Sequence, residues 1–274
     1  MPEAPEVEAV VRTLRPLVQG KQIHRIRVIH EVAVRPQSSA FLNRRLAGAH
    51  ILDAGRRGKY LLLMLDRGCV AIHFKFDGQL LWFDKAAGAP PRGVHLDFTF
   101  EMEDGTLAFV DQRHLGHVQW LCKPDDSPGI KALGVDAFSK LFTLPRLVEI
   151  CRSRPRPLKI LLVDQTRIAG IGNIYASESL WLARLSPWKR SDLLSPAEFK
   201  RLHKAVVSVL ARALECCLHP PPDFRNPQWW FNGVEKMLRV YDREVKSCRR
   251  CGSKIRRVEQ GGRSTYFCAN CQRQ

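Results

Sequence analysis

This chain of 274 residues is short of several things, and each shortage narrows its class. No apolar run approaches the roughly 18 residues that span a bilayer, so a membrane-embedded protein is not expected. The start, Met1-Pro2-Glu3-Ala4-Pro5-Glu6, is acidic and proline-rich and lacks the basic and apolar character of a secretory signal. An intracellular, cytoplasmic protein is therefore expected. There is no internal repeat and no long low-complexity tract, which sets repeat arrays aside. Acidic residues are also scarce: 27 Asp and Glu stand against 44 Lys and Arg, leaving a net charge of +17. Such a surplus favours a polyanionic partner, nucleic acid ahead of an anionic membrane surface. In a reducing compartment the nine cysteines need a reason other than disulfides.

Four of them supply one. Cys248-x2-Cys251 and Cys268-x2-Cys271, with sixteen residues between the pairs, have the spacing of a two-knuckle zinc ribbon. Each pair lets two thiolates reach one tetrahedral Zn2+ from a tight turn, which Gly252 eases. Cys69, Cys122, Cys151, Cys216 and Cys217 sit among apolar residues and read as small core side chains. The ribbon is also basic: Arg243, Lys246, Arg249, Arg250, Lys254, Arg256, Arg257, Arg263 and Arg273 face only Glu244 and Glu259. A metal-stapled hairpin so charged reads as a finger for phosphates.

Along the chain, Val7, Val10, Val11, Leu14, Leu17 and Val18 fall at helical spacing after Pro5. Glu3 and Glu6 at that helix start suit the positive end of its dipole. From Ile23 to about Leu121 the pattern is strand-like, with turns at Asp66-Arg67-Gly68 and Glu103-Asp104-Gly105 and alternation through Val94, Leu96, Phe98 and Phe100. Several short strands with tight turns predict a sandwich or barrel. Residues 123–146, with Pro124, Pro128 and Pro145, read as a linker. Beyond them the period turns helical, and Ser195-Pro196-Ala197-Glu198 is a capping box ahead of Phe199, Leu202, Val206, Val209 and Leu210. Residues 217–236, with Pro220, Pro221, Pro222, Trp229 and Trp230, read as an irregular loop.

Two further segments could carry chemistry. Gly170-Ile171-Gly172-Asn173 enters a helix, where free N–H groups could cradle a phosphate or simply make a turn. Lys59, after Arg56-Arg57-Gly58, could point into a groove or stay a surface charge. His73 and Lys75 share that ambiguity.

Taken together, these blocks closely resemble bacterial formamidopyrimidine-DNA glycosylases. The matching segments are Met1-Pro2-Glu3-Ala4-Pro5-Glu6-Val7-Glu8, Gly55-Arg56-Arg57-Gly58-Lys59-Tyr60-Leu61-Leu62, Asp111-Gln112-Arg113, Gly170 to Glu178, and Val240-Tyr241-Asp242-Arg243-Glu244, then Arg263 to Cys268. They lie in the family's order over essentially the whole chain. The resemblance implies an α+β multidomain protein. Residues 1–122 would form an N-terminal two-sheet β-sandwich with a flanking helix, and 123–146 a linker. Residues 147–238 would form a helix–two-turns–helix domain and 239–274 a β-hairpin zinc ribbon, with damaged double-stranded DNA in the cleft between the halves. The partner list implied is DNA alone, with no membrane and a monomeric, nucleoid-associated protein.

The resemblance also implies a mechanism. Met1 would be removed and Pro2 would become the nucleophile. A terminal amine titrates near pH 8, far below a lysine, so a usable fraction is unprotonated at neutrality. Attack on the sugar C1′ of a damaged nucleoside expels the base, and the resulting iminium acidifies the C2′ proton for β- and then δ-elimination. Glu3 would be the acid/base partner on the opening sugar ring and Glu6 its support. Lys59 would be a further catalytic residue, contacting the lesion phosphate with a proton-donor role, and His73, Asn173, Arg263, Gly172 and Tyr241 would engage the lesion's backbone. Extruding a nucleotide costs a few kcal/mol, which a wedge must offset. The family's wedge is methionine, arginine and phenylalanine; here the matching residues are Phe76, Arg113 and Leu115. The turn reads Asp111-Gln112-Arg113-His114-Leu115-Gly116 where the family has Asp-Pro-Arg-Arg-Phe-Gly, Ala4 replaces a leucine, and the loop after Glu215 lacks the usual Gly-Gly-Thr-Thr stretch. Oxidised purines are the expected lesions. The rivals are an endonuclease VIII-type enzyme for oxidised pyrimidines and a non-catalytic damage-binding zinc protein; Val7 and the Gly-Asn-Ile-Tyr-Ala-Ser-Glu block lean to the purine group.

Overall fold

The computed structural model describes residues 2–87, 95–226 and 233–272. Met1, Val94, Trp229, Trp230 and Arg273 lie outside them. The chain makes two compact units: one from Pro2, residues 6–131 and the segment beginning at Pro220, the other from residues 3–5, 132–219 and the segment beginning at Gly233.

In the first unit, helix α1 (Ala4–Val18) buries Val7, Val10, Val11, Leu14 and Val18 along one stripe, the face its 3.6-residue period anticipates. Strand β1 (Gln22–Val28), helix α2 (Ser39–Leu46, capped by Ser38), and strands β2 (Ala49–Arg57), β3 (Tyr60–Leu65), β4 (Cys69–His73), β5 (Gln79–Asp84), β6 (Leu96–Met102), β7 (Gly105–Val110) and β8 (His117–Leu121) follow. Their order is β5-β7-β6-β1-β2-β3-β4-β8, antiparallel throughout. Two four-stranded sheets meet where β1 and β2 pair over only Gln22↔His50 and Ile23↔Ala49. The β3–β4 and β6–β7 hairpins close at Asp66-Arg67-Gly68 and Glu103-Asp104, as their turn residues predict. Phe98 and Phe109 stack at 4.8 Å in the core, with Phe100 edge-on to Phe98. Gly116 sits against that core: a Cβ there would lie 2.4 Å from the Phe109 ring. Residues 220–226 close this unit, Phe224 O accepting from Trp82 N of β5 and Arg225 pairing with Asp84. A short helix, α3 (Pro128–Lys131), completes it.

In the second unit, β9 (Val135–Asp136) pairs in parallel with β10 (Ile168–Ala169), a contact so close that a Cβ on Gly134 would meet Arg167 backbone at 2.2 Å. Helices α4 (Leu144–Ser153), α5 (Leu158–Val163), α6 (Asn173–Ala183) and α7 (Pro196–Cys217) form its body. Ser195 and Glu198 make the expected reciprocal capping box at the start of α7. Two turns join α5 to α6. Asp164 Oδ1 accepts from Thr166 N, Gln165 braces Gly170 N and Ile171 O, and Gly170 takes φ +99°. Helix α8 (Val234–Met237) interrupts the segment expected to be irregular. The hairpin β11 (Arg256–Gln260) and β12 (Arg263–Phe267) ends the fold. Residues 123–146, read as a linker, thus contain a 3-10 turn (Pro124–Asp126), α3, β9 and the first residues of α4, shared between the two units. Among the five cysteines assigned to the core, Cys122 is a correction: it is exposed, because it lies just past the end of β8, whereas Cys69, Cys151 and Cys217 are buried.

Candidate active site and nucleic-acid interface

The second unit holds an unusually enclosed carboxylate. Glu3 is 0% exposed, and its oxygens accept from the N–H groups of Gly172 (2.5 Å), Ile174 (2.9 Å) and Tyr175 (3.5 Å). Ala4 N donates to Gly170 O and fixes the same strand of chain. The dipole argument placed Glu3 at the start of its own helix, α1; the structure corrects this. Glu3 caps α6, whose first N–H groups have no intrahelical partner. The Gly170–Asn173 cradle likewise receives an anion, but an internal one, and the Gly172 N–H is committed to Glu3. Glu6, 4% exposed, occupies the first turn of α1 as expected. Pro2 immediately precedes Glu3 in the chain.

Beside Glu3 lies a lysine that the sequence concealed within an apolar run. Lys159 on α5 is 1% exposed, and its Nζ donates to Asn173 Oδ1 (2.5 Å) and Thr265 Oγ1 (3.4 Å). Burial pulls its pKa down to about 8; Glu3 pulls the other way and Arg263 reinforces the drop. Asn173 Nδ2 meanwhile donates to Ser264 O, and Asn173 also bonds Tyr241, which leans on Tyr266 at 5.0 Å. Glu3, Lys159, Asn173, Tyr241 and the start of β12, which carries exposed Arg263, therefore form one connected group. Glu178 organises its far side, accepting from the N–H groups of Arg239, Val240 and Tyr241. Burial pushes the Glu178 carboxyl upward against those donors.

The four ribbon cysteines come together. Their Sγ atoms lie within 4.8 Å of one another, with Cys251–Cys268 at 3.5 Å and Cys248–Cys271 at 3.9 Å. Zinc–sulfur bonds of about 2.3 Å in a tetrahedron put sulfurs about 3.8 Å apart, so the residues fit one zinc ion. Gly252, at φ +76°, donates to Cys248 O and makes the knuckle turn. The knuckles rest on a cluster of Trp181, Val240, Ile255 and Tyr266. The basic face is smaller than the sequence implied. Arg250 lies over the Trp181 ring at 4.0 Å and donates to Trp181 O, and Arg243 donates to Ser247 O, so both serve the fold. Lys246, Arg249, Lys254, Arg256 and Arg263 remain exposed.

In the first unit, Lys59 follows Gly58 (φ +58°) at the β2–β3 turn and is 8% exposed, which settles its ambiguity against a plain surface charge. His73 ends β4 opposite His117, their rings parallel at 5.7 Å with Tyr60 edge-on. Burial, aided by Lys75, His117 and Lys59, drives the His73 pKa down to about 3. Lys75 N donates to His73 Nδ1 (3.0 Å), so the neutral ring carries its proton on Nε2. His117, pulled to about 4 by burial, had no signal in the sequence. Phe76 and Leu115 stand out as exposed apolar side chains at 44% and 47%. The Arg113 guanidinium lies 5.5 Å over Phe76 and pairs with Asp77 at 2.7 Å. Asp111, 1% exposed, ties their turn, accepting from the N–H groups of Arg113, Leu115 and Gly116.

Comparison with known proteins matches residues 1–118 to a formamidopyrimidine-DNA glycosylase N-terminal domain, 133–218 to a formamidopyrimidine-DNA glycosylase H2TH domain, and 246–274 to a zinc finger found in FPG and IleRS. The formamidopyrimidine-DNA glycosylases of Pelotomaculum thermopropionicum and Methylococcus capsulatus are 38% and 36% identical; the first alignment spans 100% of this chain and 99% of the relative, the second all of both. Among solved structures, Lactococcus lactis Fpg (MutM) with a DNA containing N7-benzyl-Fapy-dG gives a TM-score of 0.88 at 28% identity, covering 100% of both chains. A MutM complex with DNA containing carbocyclic 8-oxo-G gives 0.87 at 28% identity, again over both whole chains.

Proposed function

The chain belongs to the formamidopyrimidine-DNA glycosylase family, and from that premise we propose that it is a bifunctional DNA glycosylase and AP lyase of base-excision repair. Its substrates are oxidised purines, 8-oxoguanine and formamidopyrimidines, in double-stranded DNA. The observation that carries this reading is Glu3. A buried carboxylate, locked by three N–H groups at the start of α6, sits one residue from the amine that would act as nucleophile.

Removal of Met1 exposes the secondary amine of Pro2. Its lone pair attacks C1′, the C1′–N bond breaks, and the base leaves with a proton. Glu3 takes up the proton that the Pro2 nitrogen sheds after attack and passes it to O4′, so that the sugar ring opens and the Pro2–C1′ iminium forms. That iminium withdraws electrons from C2′, so loss of a C2′ proton expels the 3′-phosphate, and a second elimination expels the 5′-phosphate. Glu6 supports the start of α1. Lys59 and Arg263 contact phosphates as cations; His73 donates from Nε2 as a neutral ring. Asn173 and Tyr241, already tied to Lys159 and Tyr266, present a fixed edge to the backbone, and Gly172 acts by holding Glu3. Phe76, Arg113 and Leu115 enter the stack where the lesion leaves. The zinc held by Cys248, Cys251, Cys268 and Cys271 stiffens the finger that carries Arg263. The protein acts as a monomer on nucleoid DNA in the cytoplasm, and its +17 charge supports the contact with DNA.

Borohydride trapping tests this. A covalent adduct should form on duplexes holding 8-oxoguanine, and none when Met1 is retained or the terminus is acetylated. Glu3→Gln should keep DNA affinity near normal and lose base release. Trapping with a blocked terminus would refute the Pro2 mechanism, and faster turnover of thymine glycol would refute the purine preference.

A further inference from the structure

A second group of ligand-type side chains lies in the first unit, remote in sequence from the cysteines. Asp97 on β6 is 0% exposed; its Oδ1 meets His114 Nδ1 at 2.5 Å, and among the described residues its Oδ2 has no hydrogen-bond partner. Burial pushes the Asp97 carboxyl upward, and His114 only partly opposes it. A buried carboxylate oxygen without a donor is costly, and a cation beside it removes the cost. The ring of His30, just past β1, lies 4.2 Å from that of His114. His30 N and Ile29 N both donate to Asp97 O, so the backbone fixes His30 against Asp97. His114 adopts φ +53°, a left-handed conformation that a bulky residue keeps only when its surroundings hold it. Asp111 does the holding through the neighbouring N–H groups.

We propose that His30, Asp97 and His114 form a second metal site, for a divalent transition ion of the zinc class, with His114 on the turn that carries Arg113 and Leu115. One nitrogen from each imidazole and one carboxylate oxygen lie within 4.8 Å of one another. Two imidazoles and a carboxylate are a donor set for zinc, cobalt or nickel rather than calcium or magnesium. Bonds of about 2.0–2.2 Å hold ligand atoms about 3.4 Å apart in a tetrahedron. Binding therefore requires the exposed His30 ring to swing inward and the His114–Asp97 pair to part slightly. Three protein ligands leave a fourth position, which the exposure of His30 opens to water. The competing arrangement is a His114–Asp97 hydrogen bond that takes no metal. Occupancy does not depend on the glycosylase reading and is measured apart from it.

The test adds Co2+ to protein whose ribbon already holds one zinc per chain. The expected result is uptake of one cobalt per chain, with visible ligand-field bands and no thiolate charge-transfer band, and a rise in the thermal midpoint. His30→Asn and His114→Asn should each weaken that uptake by more than about tenfold while the zinc content stays at one. His30→Asn decides the matter even if the change at His114 disturbs the turn, because the His30 ring is exposed and its backbone bond to Asp97 is kept. Failure of the zinc-loaded protein to bind cobalt, or cobalt bound as tightly by His30→Asn as by the parent chain, would overturn the site and leave the His114–Asp97 hydrogen bond.

Discussion

Lys159 and His73 are two basic side chains whose burial makes opposite parts of the pH scale informative. Between its folded pKa of about 8 and the ordinary 10.5, the unfolded chain binds the Lys159 proton more readily than the folded one. Stability should therefore rise with pH across that window, by on the order of 3 kcal/mol, and stay level in this respect below pH 8. Lys159→Met should lose that rise, as read from denaturant midpoints; an unchanged rise would assign it to another group. His73, with a folded pKa of about 3 against 6.5, makes the protein lose stability as pH falls through that interval, because only the unfolded state takes up the proton. Since His73 is neutral at pH 7, its loss also has a distinctive binding signature. His73→Asn should weaken DNA binding without changing the salt slope, whereas Arg263→Ala should reduce that slope by about 1. At this scale the sequence pointed to the cysteines through spacing, and to Pro2, Glu3 and Asn173 through the family resemblance. It could not show what Glu3 caps, because its partners lie 169 to 172 residues away. Lys159 was hidden for a related reason: within Leu158–Val163 it is one polar letter in a hydrophobic run, and its hydrogen-bond partners lie far along the chain on α6 and β12.

Elements were legible where a local rule fixes them and opaque where a distant pairing does. The α7 capping box is local, and Ser195→Ala should cost about 1 kcal/mol of unfolding free energy by leaving the Glu198 N–H without its acceptor. The turn from Asp111 to Gly116 is set by packing instead. Gly116→Ala would drive a methyl into the Phe109 ring and should destabilise the chain by roughly 1–3 kcal/mol. It should also depress excision on intact duplex more than on substrates whose lesion is already unpaired, since Arg113 and Leu115 ride on that turn. Equal depression on both would detach the turn from base extrusion. The β3–β4 and β6–β7 hairpins followed from Asp-Arg-Gly and Glu-Asp-Gly triplets. The two-residue β1–β2 seam and the two-residue β9–β10 pairing left no pattern to read, because so short a pairing imposes no alternation.

Across the whole molecule, charge and metal are the broadest levers. A net +17 and exposed Lys246, Arg249, Lys254, Arg256 and Arg263 predict affinity that falls steeply with salt. Withdrawing zinc should loosen the cluster under the knuckles, change the fluorescence of Trp181, whose Nε1 donates to Cys248 Sγ at 3.4 Å, and remove most DNA affinity. Affinity that survives chelation would take the finger out of DNA binding. The segment from Pro220 has a consequence of another kind. Because Phe224 and Arg225 close the edge of β5, the N-terminal sandwich remains unfinished while the ribosome is still translating the helical unit. Its last edge contacts can form only after residue 225 leaves the exit tunnel, so a nascent chain stalled in α7 should expose β5 to proteolysis that the released protein resists.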